Sequence, residues 1–241
     1  KLMFPVSSRI QVMKAINTPA LLDVIPEINE HILPMYAGHE RQFDPTSLHG
    51  RMHICRAVIL AEAMGYSYIS RGLKPDMYAV RVATAFHDSG RQDNGKDYWE
   101  HESADLCRHY LISTSPRCQM YQQAPALADF TAGLIPHNEI SSLEMQIAQD
   151  ADVLEIMRLC KSAYWQTRFQ PEKLMFLSPR DHCLPAEPDA KSIRSRLIHE
   201  AWEFIQLTDH RHLEFSRAEN YFNALFNVLT SQKDRFPLLA S

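Results

Sequence analysis

The chain is predicted to be all-α, a multi-helix bundle, and three observations predict it. Glycine is scarce, with seven in 241 residues. Strand-like alternation is almost absent. Apolar residues instead recur at three- and four-residue intervals over long segments, the period of a helix that buries one face.

The elements follow in order. The first 45 or so residues carry Pro19, Pro26, Pro34 and Pro45 and are expected to form short helices wrapped on the domain. From Leu48 to Met64, a stripe of Ile54, Ala57, Val58 and Ala61 predicts a helix, with Gly65 as its expected stop. Asp76 follows Pro75 and is placed to cap the next helix, whose stripe is Ala79, Val82, Ala83 and Phe86. That helix runs into His87-Asp88-Ser89-Gly90, and a polar loop to Lys96 follows. Helices are predicted from about Trp99 to Leu111 and from about Ala124 to Leu134. Ser141-x-x-Glu144 reads as a capping box that opens a long helix to about Trp165, with Leu143, Ile147, Ala151 and Leu154 on its apolar stripe. The Pro-rich stretch 171–188 is expected as a loop or lid within one domain. Helices from about Ala190 to Leu207 and Ser216 to Thr230 close the chain. We expect a single domain over 1–241, with its core at about 46–165 and helical additions at both ends.

Composition narrows the function. Apolar residues make up 45% and charged residues 22%, the ordinary globular balance. A net charge of −4 gives no bulk attraction for DNA or an anionic membrane, although a local basic pocket for phosphate remains compatible with it. The cysteines, Cys55, Cys107, Cys118, Cys160 and Cys183, form no C-x-x-C pair and read as reduced thiols in small apolar positions. No apolar run approaches the roughly 20 residues of a membrane span, and Lys1-Leu-Met-Phe-Pro-Val lacks the core of a signal peptide. A soluble chain is expected. Lys1 in place of an initiator Met leads us to expect a piece of something longer.

His53, His87, Asp88 and Asp152 are ionisable residues inside apolar-patterned segments. Burying such groups alone is expensive, and metal coordination removes that cost. Imidazole and carboxylate ligands suit Mn, Fe, Ni, Co, Zn or Mg, according to geometry. Neighbours in a helix point about 100° apart, so His87 and Asp88 can serve one ion only where the helix ends. Asp150 and Asp152 are about 200° apart, so one of them should face the ion. A single histidine on an apolar face is more often a satisfied core residue. The ordered set His…His-Asp…Asp on three separate helical patterns is what carries the signal. Arg56, Arg91 and Lys96 are candidates for holding phosphate oxygens. The Asp209-His-Arg-His212 cluster reads as surface.

These motifs resemble the HD superfamily of phosphohydrolases. Segment 53–61 looks like the family's first-histidine helix, Ala83-Thr-Ala-Phe-His-Asp-Ser-Gly90 like its HD motif, and 147–158 like its final-aspartate helix. The resemblance implies an HD-domain-like helical bundle and a divalent transition metal held by His53, His87, Asp88 and Asp152. It favours Asp152 over Asp150. It also implies that His101 and His137 match the family's auxiliary histidines, which bind phosphate or a second metal. Asp88 would also orient or deprotonate a water.

A narrower resemblance exists. Leu48-His-Gly-Arg-Met-His53 and His87-Asp-Ser-Gly-Arg-Gln92 are similar to the phosphodiesterase domain of the Legionella SidE effectors. Those domains cleave a phosphodiester in ADP-ribosylated ubiquitin with His and Glu residues and no metal. Carried over, this implies His49 as a catalytic histidine with Glu102 as its partner. It also implies delivery into a host cell. SidE domains carry a histidine where this chain has Asp152, a departure that favours a metal centre.

The leading expectation is therefore a metal-dependent phosphohydrolase or phosphodiesterase acting on a nucleotide or other phosphodiester small molecule. One alternative is a SidE-like, metal-independent enzyme acting on an ADP-ribosylated host protein. A third is a nucleotide-binding module with little turnover.

Overall fold

The computed structural model describes residues 20–43, 49–91, 99–123, 142–160, 174, 176–177, 189–209 and 220–240. Among these residues the regular structure is helical throughout, as the pattern of the sequence predicts.

The N-terminal run is α1 (Leu21–Glu27), a π segment at Ile28–Ile32 and α2 (Leu33–Phe43). Pro26 and Pro34 lie within it without ending it. The π segment sits where Pro34 lacks a donor and its ring needs space, which a widened turn provides. Val24, Ile28, Ile32 and Tyr36 recur every four residues and are buried.

Three helices form the centre: α3 (Arg51–Ile69), α4 (Met77–Phe86) and α7 (Leu143–Glu155) each pack against the other two. Sequence periodicity picks out one apolar stripe on α3 and one on α4. The structure buries every residue of α3 from Met52 to Gly65 and every residue of α4. Both are therefore core helices enclosed on all sides rather than surface helices with one buried face. Around them lie α5 (Trp99–His109) with a π segment at Tyr110–Thr114, α6 (Cys118–Gln123), α8 (Ala190–Thr208) and α9 (Tyr221–Ser231). α5 packs on α4, and α9 packs on both α3 and α8.

Three sequence expectations are corrected here. Gly65 does not stop α3, which continues to Ile69. Its missing side chain serves packing instead, since a Cβ there would stand 2.3 Å from the Met77 sulfur. Gly72, with φ +85°, reverses the chain. Second, the cap of α7 is Ser142 rather than Ser141: its Oγ accepts the Met145 N–H at 3.1 Å. Glu144 is drawn away from a capping box and accepts the Asp76 N–H at 2.9 Å, which ties the start of α7 to that of α4. Third, Asp209 is 1% exposed and so is not surface decoration.

Asp76 caps α4 as expected, its Oδ1 accepting from the N–H groups of Tyr78 and Ala79. Cys55, Cys107 and Cys160 are buried thiols. The helix expected from Ala124 to Leu134, most of the stretch 171–188, Cys183 and residues 210–212 lie outside the described residues. No described helix is long and apolar enough to cross a membrane.

The start of α3 positions the site. Gly50 precedes it without a capping side chain, and Glu40 of α2 supplies the acceptor instead. Glu40 Oε1 receives the Arg51 N–H at 2.5 Å, and Oε2 pairs with the Arg51 guanidinium at 2.7 and 2.8 Å. The same guanidinium lies over the Tyr221 ring of α9, 5.4 Å from its centroid. Helices from both ends of the chain thus hold the segment that carries His49 and His53.

Candidate active site

His53 lies in the first turn of α3, His87 and Asp88 follow the last residue of α4, and Asp152 is in the last turn of α7. The three central helices bring these groups to one place. His53 Nε2 and His87 Nε2 are 3.1 Å apart. Asp152 Oδ1 is 3.4 Å from each of those nitrogens. Asp88 Oδ2 is 3.6 Å from His53 Nε2 and 3.4 Å from His87 Nε2. His49 joins from the turn before α3, its Nδ1 2.6 Å from Asp88 Oδ2. The ligand atoms of His49, His53 and Asp88, and those of His53, His87 and Asp152, each lie within 4.8 Å of one another. His53 and Asp88 form the floor, while the side chains of His49, His87 and Asp152 are 20%, 17% and 25% exposed and open towards solvent.

The second nitrogen of each central histidine is already committed. His87 Nδ1 lies 2.7 Å from the Thr84 carbonyl, which can only accept, so Nδ1 carries the hydrogen. His53 Nδ1 lies 2.7 Å from Oε2 of Glu155, a buried carboxylate that also receives Arg56 and Arg158. That nitrogen is a donor as well. Two neutral imidazoles so oriented aim their Nε2 lone pairs at each other, between two carboxylates. Such an arrangement could hold a cation at its centre. Ligand shells with bonds of about 2.0–2.2 Å have edges of about 2.8–3.1 Å in octahedral and about 3.3–3.6 Å in tetrahedral form, close to the separations here. The donor chemistry therefore fits a metal ion at either triad, His49, His53 and Asp88 or His53, His87 and Asp152, which share His53.

The electrostatics agree with a site that gathers positive charge. Burial alone would lower the pKa of His87, but Asp88 and Asp152 outweigh it and hold it well above the ordinary histidine value. His53 is raised in the same way, with Glu155 the largest force against its burial. Burial opposes ionisation of Asp88 and Asp152 too, yet the neighbouring histidines keep both carboxyls below their ordinary range. His49 behaves differently: its burial outweighs Asp88 and lowers its pKa.

Arg91 donates from Nε to Asp88 Oδ1 at 2.8 Å, and its guanidinium stacks 3.3 Å from the centroid of the Trp99 ring. Asp150 is buried, and its carboxylate is not among the converging ligand atoms. His101 and Glu102 lie exposed on α5, and the carboxylate found on His49 Nδ1 is that of Asp88. Lys96 and His137 lie outside the described residues.

Arg56 is corrected. Expected to hold phosphate oxygens, it is 1% exposed, pairs with Glu155 Oε1 at 2.6 and 2.8 Å, and donates to the Thr208 carbonyl at 2.8 Å. Its guanidinium is spent on the protein's interior. Glu155 and Arg158, on the same interior side, were not singled out by the motifs. The available signal was spacing. His53 and Arg56, Asp152 and Glu155, and Glu155 and Arg158 each stand three apart on helical segments, where side chains are neighbours.

Residues 47–213, more than half of the chain, match the family SidE phosphodiesterase (PDE) domain. The match runs well past residue 165 and takes in α8. No curated protein and no solved structure matches the chain.

Proposed function

The chain belongs to the SidE phosphodiesterase domain family, and on that footing we propose that it hydrolyses a phosphodiester; the donor geometry, rather than the family, leads us to propose that a metal held by His53, His87, Asp88 and Asp152 serves the reaction. The observation that carries this reading is the 3.1 Å approach of two Nε2 atoms whose partner nitrogens both donate elsewhere.

A divalent metal bound there would supply Lewis-acid polarisation of a phosphoryl oxygen and a bound water of lowered pKa. The protein's own groups do the rest. Asp88 Oδ2 accepts the Nδ1 proton of His49, which leaves the lone pair on Nε2. Because burial lowers its pKa, His49 is neutral near pH 7 and serves as base first. It takes a proton from the attacking water at Nε2 and passes it to the departing oxygen of the ester. Arg91, fixed between Asp88 and Trp99, stands where a guanidinium can meet a phosphate oxygen. Lys96, His101 and His137 are proposed as further phosphate contacts, and Glu102 as a second acid–base group. A nucleotide-like phosphodiester is the proposed substrate, and the family suggests an effector acting in a host cell.

A second reading has its own support. A nitrogen–nitrogen separation of 3.1 Å is also that of an N–H···N hydrogen bond, so a shared proton could stand where the metal would. The enzyme would then act without metal on ADP-ribosylated protein, through His49. Turnover of bis(p-nitrophenyl) phosphate and of ADP-ribosylated ubiquitin, before and after exhaustive chelation, separates the two. Loss of activity restored by Mn supports the metal centre. Full activity in chelator would overturn it in favour of the shared proton.

A further inference from the structure

We infer that Glu155 is a positioning residue that fixes His53 as the Nδ1–H tautomer and so decides which nitrogen faces the centre. This rests on the proposed role of His53 as a centre ligand.

The side chain of Glu155 is 0% exposed. Its Oε2 receives His53 Nδ1 at 2.7 Å and Arg158 Nε at 2.7 Å. Its Oε1 receives Arg56 Nη2 at 2.6 Å, Arg56 Nε at 2.8 Å and Arg158 Nε at 3.0 Å. Arg56 is anchored in turn on the Thr208 carbonyl at the end of α8. A buried carboxylate costs several kcal/mol in lost hydration, so packing alone would be better served by an apolar residue. What the carboxylate offers is an acceptor with no donor. A histidine nitrogen placed against it must carry the hydrogen, and the other nitrogen must carry the lone pair. Glu155 lies one helical turn beyond Asp152. A single face of α7 thus provides one ligand and the group that orients another.

The near-isosteric Glu155→Gln variant makes a specific test. The two Arg56 donors attract the amide oxygen to the Oε1 side, where Arg158 Nε also reaches it at 3.0 Å. The amide NH2 is then left against His53, where it donates to Nδ1. His53 should flip to the Nε2–H tautomer and direct a proton into the centre. Long-range 1H–15N NMR on metal-free protein, at a pH where His53 is neutral, reads this directly. The wild type should show Nδ1 protonated, and Glu155→Gln should show Nε2 protonated. Mn affinity should fall about 10- to 100-fold, with kcat falling more than KM changes.

A wild type with hydrogen on Nε2 overturns the inference without any variant. An unflipped Glu155→Gln with Mn affinity within about twofold of wild type, a small fraction of the loss expected, also overturns it. A flipped tautomer with Mn affinity and turnover both unchanged would support the role of Glu155 and sink the role of His53 as a ligand.

Discussion

His53 Nε2 stands 3.1 Å from His87 Nε2 across the ends of two different helices, and neither contact made by their other nitrogens permits them to turn away. The proposed affinity for a cation rests on that opposition.

Asp152 lies on the rim with Oδ1 3.4 Å from Nε2 of both histidines, so its loss should leave the core intact. Asp152→Ala should purify with wild-type helical circular dichroism but without stoichiometric metal. Elemental analysis decides it, and full occupancy in the variant would remove Asp152 from the ligand set.

His49 touches the centre through Asp88 and is proposed to move protons. His49→Gln should lose about 10²–10⁴-fold in kcat while retaining its metal. The measurement is turnover of bis(p-nitrophenyl) phosphate beside metal content. A variant that loses its metal instead would show that His49 is a ligand.

Arg56 should behave as a structural residue. Arg56→Ala breaks a buried pair and strips the Thr208 carbonyl of its donor, at a cost of about 3–5 kcal/mol, lessened by the remaining Arg158. Urea denaturation reads this. Unchanged stability with a raised KM would restore the phosphate-holding role that the sequence suggested.

Gly90 follows the His87-Asp88-Ser89 turn, and its N–H donates to Ser103 Oγ at 2.9 Å. A Cβ there would meet backbone, at 2.6 Å from Ser103 N and 2.8 Å from Trp99 O. Backbone cannot yield as a side-chain tip can. Gly90→Ala should therefore cost at least about 1–3 kcal/mol and displace Asp88. Thermal unfolding and metal content should fall together. A variant as stable as wild type would mean that the turn and α5 are not pressed together.

Glu155 gives the pH dependence a sign. Burial opposes its ionisation, but Arg158, Arg56 and His53 hold its pKa far below the ordinary carboxylate range. Its folded value is depressed, so its contribution is complete above the unfolded value of about 4.3 and is lost as pH falls towards the folded one. Urea midpoints of metal-free protein should drop below about pH 5 more steeply in the wild type than in Glu155→Gln. Parallel curves would assign the acid loss to other groups.

Helix class and the cap at Asp76 were legible because each is a local property, and the ordered set His53, His87, Asp88 and Asp152 because a family resemblance carries it. A cap needs its next three residues, and an amphipathic stripe needs three or four turns. The full burial of α3 and α4 was not legible, because a stripe reports one apolar face and both helices carry small or paired polar residues elsewhere. Arg81 on α4, for example, is 1% exposed, and Glu62 of α3 receives it through both oxygens. Gly65 looked like a stop because the Met77 side chain that presses on it is remote in sequence.

From the sequence alone, an all-helical chain with His53, His87 and Asp88 as candidate site residues could be read, since helical period and residue type need no knowledge of neighbours, while His49 and the preference for Asp152 came from the family resemblance. Tertiary structure alone decided that Arg56 serves Glu155 and not phosphate, and that Glu155 stands behind His53. The reason is physical. A side chain's charge state and partners are set by what lies within about 4 Å of it, and His53 and Glu155 are 102 residues apart along the chain.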